Sequence, residues 1–399
     1  MKLSINKLTE GFFLLTLLLI PFYGVRFEIL YLPTNVPEAA ALLSILLFIV
    51  GRGRLVLGEW KKNILGFYLP LLLLFTGLAF SYLTNDPTLD GLGIIKGWFF
   101  IPFLFSISIP SVFENPEKTR KALLFLFLSM AIVSWIAVSY KLAGKLTYDG
   151  RLAAFYSSPN QLSMYLSLGV FIFPFLFKTA AGSRMKLFLF SSLLAIIISL
   201  YFSYSYAAWL AVALSSILLL ALKTSSVKKY LLLATAIISI FFLFQQSNPK
   251  LSHMFEERSS FSSRIMIWKS ALRIAHDNPL LGIGPANFQG KYLEYQRHFP
   301  PYLEWAVPHP HNIYLAFWLQ AGLLGLCGFL ILCHKSVSLF LKQKNTALSA
   351  VFLGIFFYTL IHGIADTPYW RNDLSYMFWT VFFLGITSTR KDAAQKSNR

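Results

Sequence analysis

Two histidines one residue apart, Pro308-His309-Pro310-His311, run directly into Asn312 and then into a long apolar stretch. An imidazole at such a boundary can act as a proton acceptor, so His311 can take a proton from a hydroxyl. His309 reads as a supporting group, and Asn312 can orient a neighbour. Nine residues further on, Gly322-Leu323-Leu324-Gly325 places two glycines three apart, a spacing that lets a second backbone pack close to a helix. The paired histidines raise the question of a metal. Cysteine is absent nearby, and Asp366 is the one carboxylate expected on the same face, so no metal site is expected. No P-loop or GxSxG motif occurs, and Gly282-Ile283-Gly284 lacks the strand–helix context of a dinucleotide site.

The elements that must position these groups follow from composition. Of 399 residues, 56% are hydrophobic and 13% charged, about half the charge an ordinary soluble domain carries (roughly 25%). A soluble enzyme, a disordered chain and a disulfide scaffold are excluded. The pattern predicts an all-α polytopic membrane protein of about twelve transmembrane helices. Their expected limits are 9–24, 36–51, 64–83, 92–110, 120–140, 160–177, 186–203, 206–222, 229–245, 312–333, 346–363 and 372–389. Residues 1–245 thus hold nine helices, 246–311 an extracytoplasmic loop subdomain (periplasmic in a bacterial envelope), 312–389 three more helices, and 390–399 a cytoplasmic tail.

The short basic loops (Arg52, Arg54, Lys61 and Lys62; Lys118, Arg120 and Lys121; Lys335, Lys342 and Lys344) all fall on one side. The positive-inside rule then places both termini in the cytoplasm. Much of the net charge of +18 is a topology signal that meets membrane lipids, and no nucleic-acid partner is expected. The long loop keeps helical spacing at Ile265, Trp268, Leu272 and Ala275, and Asn278-Pro279 ends that helix.

The order of these motifs resembles the O-antigen ligase and O-antigen polymerase superfamily of bacterial envelopes. The resemblance rests on His311-Asn312, nine residues, Gly322, two residues, Gly325. It extends to Arg264 with Trp268, to Asn278-Pro279-Leu280-Leu281-Gly282-Ile283-Gly284, to Arg151 with Ser158-Pro159-Asn160-Gln161, and to His362-Gly363 with Asp366. It covers about residues 145–390. One departure is Ser205-Tyr206-Ala207-Ala208-Trp209, where Tyr206 stands at the position of a family arginine.

The resemblance implies an inverting, metal-independent membrane glycosyltransferase in the bacterial inner membrane, active at the periplasmic face and without a cofactor. It would move a glycan from a polyprenyl-diphosphate carrier to a sugar hydroxyl of lipid A–core. The alternatives are a polymerase that extends lipid-linked glycan and, in a different class, a solute transporter. Nearly carboxylate-free span centres speak against the transporter. His311 is the implied base and Arg264 the bidentate diphosphate ligand, with Arg151, Arg297, Lys96, His309, Asn312 and Asp366 as substrate-binding candidates. Arg264 could instead pair with Glu256 or Glu257, and Asp366 with Arg371.

Overall fold

Long runs of Leu, Ile, Phe and Ala broken by Pro, Gly and polar turns give a mainly helical chain. A computed structural model describes residues 2–29, 31–222, 259–300, 305, 307–343 and 346–397. In chain order the helices are α1 (Lys2–Leu19), α2 (Val36–Arg52), α3 (Val56–Asn63), α4 (Tyr68–Thr84), α5 (Leu89–Ile94), α6 (Ile101–Ile107), α7 (Ile109–Val112), α8 (Pro116–Leu142), α9 (Pro159–Thr179), α10 (Ser183–Ser203) and α11 (Tyr206–Ala221). They continue with α12 (Ser260–Asp277), α13 (Phe288–Tyr295), α14 (Ile313–Leu341), α15 (Ala347–His362) and α16 (Asn372–Ser397). Every expected span on described residues coincides with a helix or a run of short helices, and the expected span 229–245 lies outside the described residues. Among the described residues, seven stretches are long and apolar enough to cross a membrane by length and composition. Among the described residues, the one departure from all-α is a small antiparallel hairpin, β1 (Arg26–Ile29) with β2 (Leu32–Asn35), in which Ile29 faces Leu32.

Polar caps mark the helix starts. Asn35, Asn115, Ser158, Ser259 and Thr346 each accept a backbone N–H from the first turn with the side-chain oxygen, which satisfies donors that otherwise have no helical partner. Between α5 and α6 the chain takes a π turn, Ile95–Phe100, and Lys96 sits in it.

The pair that sets the scaffold is α14 against α4. A Cβ at Gly77 would lie 2.4 Å from the Gly325 nitrogen, and one at Gly328 would lie 2.5 Å from the Leu74 nitrogen. Glycine at these points lets the two backbones touch, as expected for Gly325. Gly322 does something else. Its φ of 69° and ψ of 179° break α14 there. The loop turn Pro279–Gly284 fills the break. Ile283 donates its N–H to Leu319 O at 2.6 Å, and Leu323 donates to Leu280 O at 2.9 Å. The Trp318 indole N–H reaches Pro279 O at 2.7 Å. The backbone groups freed by the kink are thereby paired with the loop, as buried amides require.

Candidate functional site

The groups that could do chemistry meet where three segments converge: the start of α12, the turn before α14, and the loop between α15 and α16. Each is fixed by local structure. Asn312 caps α14, its Oδ1 accepting from Tyr314 and Leu315 N–H at 3.0 Å each, while its Nδ2 donates to Ile364 O at 3.0 Å. Ile313 N–H donates to Gly363 O at 2.7 Å. Asn312 and Ile313 thus tie the helix start to the loop that carries Asp366. His311, just before the cap, has φ 47°, a left-handed conformation in which a residue with a side chain is strained. The hydrogen bonds on its C-terminal side hold it there.

Asp366 is the centre of the cluster. Its Oδ1 lies 3.1 Å from His311 Nδ1, and Arg264 Nη2 lies 3.6 Å from its Oδ2. The Asp366 side chain is 2% exposed and that of His311 28%. The carboxylate is sealed while the imidazole remains open to a ligand. Burial alone pushes the Asp366 carboxyl up, yet His311 and then Arg264 hold it well below the usual carboxylate range. His309 lies beside His311, ring centroids 4.8 Å apart, with its Nδ1 3.3 Å from Thr367 Oγ1. Burial first and His311 next push the His309 imidazole down.

Arg264 comes from the first turns of α12, and Trp268 one turn on donates its indole N–H to His311 O at 3.3 Å. The face carrying Arg264 and Trp268 is therefore turned to His311. The buried face of α12 is Ser263, Met266, Ile267, Ser270, Ala271, Ile274 and Ala275. This corrects the expected apolar stripe, since Ile265 and Leu272 are exposed. The small residues on the buried side let α12 sit close to α13 and α14. Among the described residues, Arg264 Nε and Asp366 Oδ2 are buried without a hydrogen-bond partner. Glu256 and Glu257, the alternative partners for Arg264, lie outside the described residues.

The other candidates fall around this centre. Arg151 is buried, donating to Ser203 O and Asn160 Oδ1 at 2.8 Å each and lying 3.7 Å from Asp149. Burial pushes its guanidinium down, Asp149 opposes that, and the Arg264 charge adds to it. The two arginines therefore act on each other, and Tyr206 stands close enough to act on Arg151 too. Lys96 pairs with Glu38 at 3.0 Å and donates to Pro33 O. Glu38 in turn accepts from Asn372 Nδ2 at 3.0 Å. Lys96 is thus held in a polar network joining α2 and α16. Arg297 lies exposed in a 3-10 turn, Gln296–His298. The side chain of Asn312 is spent at both ends on capping and on Ile364.

The expected Asp366–Arg371 pair does not form. Arg371 grips Asp373 with its Nε and Nη2 at 2.5 and 2.7 Å and lies over Tyr23 and Tyr156. A partner two residues along the chain serves it at little entropic cost. One residue beyond the expected set belongs to the neighbourhood. His362 ends α15, buried, with Nδ1 2.6 Å from Tyr358 Oη, and Asp366 N–H donates to its carbonyl. Its place beside Asp366 in His362-Gly363 was the available signal.

Comparison with known proteins agrees with the resemblance read from the motifs. The family model for O-antigen ligases matches residues 190–330, a stretch that holds Arg264, Arg297, His309, His311 and Gly322. A curated Rickettsia conorii protein with the provisional name polysaccharide ligase is 24% identical over 315 residues, covering 75% of this chain and 74% of that protein. The two matches support the O-antigen ligase superfamily.

Proposed function

For a membrane protein with an O-antigen ligase-like function, we propose that His311 is the general base and Arg264 the diphosphate ligand of a glycan transfer. The donor is a glycan on a polyprenyl diphosphate and the acceptor a sugar hydroxyl of lipid A–core. With both termini in the cytoplasm, as the basic short loops favour, the cluster faces the periplasm of the inner membrane. No ATP is available there, so the diphosphate leaving group supplies the driving force.

The chemistry is one displacement. Asp366 accepts the His311 Nδ1 proton in a hydrogen bond, which leaves the Nε2 lone pair for the acceptor. The acceptor oxygen bonds to the anomeric carbon as its proton passes to Nε2. The bond from that carbon to the diphosphate oxygen breaks, and its electron pair leaves with the diphosphate. Attack opposite the leaving group inverts the anomeric configuration. Arg264 meets the growing charge with two parallel N–H donors, the role a metal would otherwise fill. Arg151, buried and within electrostatic reach of Arg264, adds positive potential without giving up its own hydrogen bonds. Two arginines that raise each other's energy are relieved by an anion between them.

The observation that carries this reading is the convergence of His311, Asp366 and Arg264 from three separate segments, with Arg264 Nε unspent. The test is a reconstituted assay with polyprenyl-diphosphate glycan and lipid A–core. Glycan attached to the core is expected. Longer lipid-linked chains with unmodified core mean a polymerase, and no transfer refutes the reading.

A further inference from the structure

We propose that His309, His311 and Asp366 form a site for a zinc-class divalent ion, and that an ion held there shuts the transfer site down. Each residue offers one ligand atom, and these atoms all lie within 4.8 Å of one another. Among the described residues, this is the one place where three such groups gather. Zinc binds imidazole nitrogen and carboxylate oxygen at roughly 2.0–2.2 Å, which sets the ligand atoms about 3.3 Å apart in a tetrahedron. His311 and Asp366 already stand 3.1 Å apart. The remaining closure falls to His309, whose ring needs to rotate from Thr367 towards Asp366.

The donor set selects the ion. Two imidazoles and one carboxylate suit zinc, cobalt or nickel, whereas calcium and magnesium prefer an all-oxygen shell. Three protein ligands leave a fourth position open to water. Arg264 acts against the ion, because its guanidinium lies 3.6 Å from the same carboxylate. An incoming cation displaces Arg264 from Asp366, so binding is reversible and weaker than at a structural zinc site.

The consequence for transfer follows from electron pairs. The ion takes the lone pair of His311 Nδ1, so the ring proton sits on Nε2, which then has no lone pair for the acceptor proton, and Asp366 no longer orients the ring. Bound ion and working base exclude each other. The inhibitory half rests on His311 being the base; the binding half does not. A site of this kind departs from the expectation, read from the sequence, that no metal site is present.

The experiment separates the two halves. Purified full-length protein, stripped with chelator and freed of any polyhistidine tag, is titrated with Co²⁺ and followed by its visible absorption. A saturable tetrahedral spectrum at one ion per chain is expected, displaced by Zn²⁺. The His309→Asn and Asp366→Asn variants each weaken binding roughly tenfold or more. An unsaturable titration, or unchanged binding in both variants, overturns the site and leaves the base assignment standing. Transfer is then measured with Zn²⁺, each protein normalised to its own metal-free rate. Inhibition reversed by chelator in wild type is expected, with a matching shift of the inhibitory concentration in His309→Asn. A zinc-loaded protein that transfers at full rate overturns the shut-off and the assignment of His311 together.

Discussion

Gly282→Ala is the sharpest perturbation of the scaffold, because it touches none of the reacting groups. A Cβ at this position would lie 2.3 Å from Leu319 O and 2.6 Å from Trp318 O, and the residue has φ 67°. Both oxygens are backbone, so the loop turn or α14 must move. The left-handed conformation costs an alanine about 1–2 kcal/mol. Displacing the turn also breaks the Ile283–Leu319 and Leu323–Leu280 hydrogen bonds, each worth about 1 kcal/mol net. Together about 3–4 kcal/mol is set against docking, which shifts the open–closed equilibrium of the turn by roughly 10²–10³. The turn follows directly on α12, so Arg264 loses its fixed distance to Asp366. Hydrogen exchange of residues 278–284 and the transfer rate are measured together. Loss of protection and of transfer in parallel is expected, with the fold retained. Gly290→Ala, at a position with nothing within 4 Å, is the control and should change neither. Normal protection and normal transfer in Gly282→Ala would refute the claim that this latch positions the site.

The remaining outcomes concern single side chains. Asp366→Asn should lower transfer by roughly ten- to a hundredfold through loss of imidazole orientation, read as a fall in kcat with little change in donor KM. Arg264→Lys keeps the charge but loses the paired donors, so donor KM should rise roughly tenfold; an unchanged KM would separate Arg264 from the diphosphate. Lys96→Met should lower the melting temperature by breaking the Glu38 pair, while the folded protein keeps donor binding; loss of binding at constant melting temperature would return Lys96 to the site. Stability should fall in acid. The unfolded chain protonates His309 below about 6.5 and Asp366 below about 3.8, whereas the folded protein resists both. The stability these groups contribute is present above those values and is lost as pH drops below them. A melting temperature that stayed flat from pH 7 to 4 would contradict the His309 part.

The parts of this molecule that follow from local pattern were legible. Helix positions came from apolar runs, and the end of α12 from Asn278-Pro279. The start of α14 followed from the apolar run after His311-Asn312, but the capping role of Asn312 did not, because an asparagine at that point can equally orient a neighbour, the role expected for it. The buried face of α12 was misread because Ser263, Ser270 and Ala271 carry no hydrophobic signal, yet their small size is what close packing needs. Gly322 looked like a helix-packing glycine because spacing alone cannot tell a contact from a break. Asp366 lies 55 residues from His311 in sequence, so its role as the hub is a product of tertiary folding. Arg371 was assigned the wrong carboxylate for the same reason. Nothing in its sequence neighbourhood ranks Asp366 against Asp373.

The central claim is that His311 and Arg264 serve one bound donor, the first by taking a proton and the second by holding the diphosphate. Single-turnover transfer by purified protein, combined with direct donor binding, tests it most directly. His311→Ala should bind donor as wild type does and transfer it roughly 10²–10⁴-fold more slowly, while Arg264→Ala should lose donor binding. Transfer at the wild-type rate by His311→Ala, or undiminished donor binding by Arg264→Ala, would contradict the account.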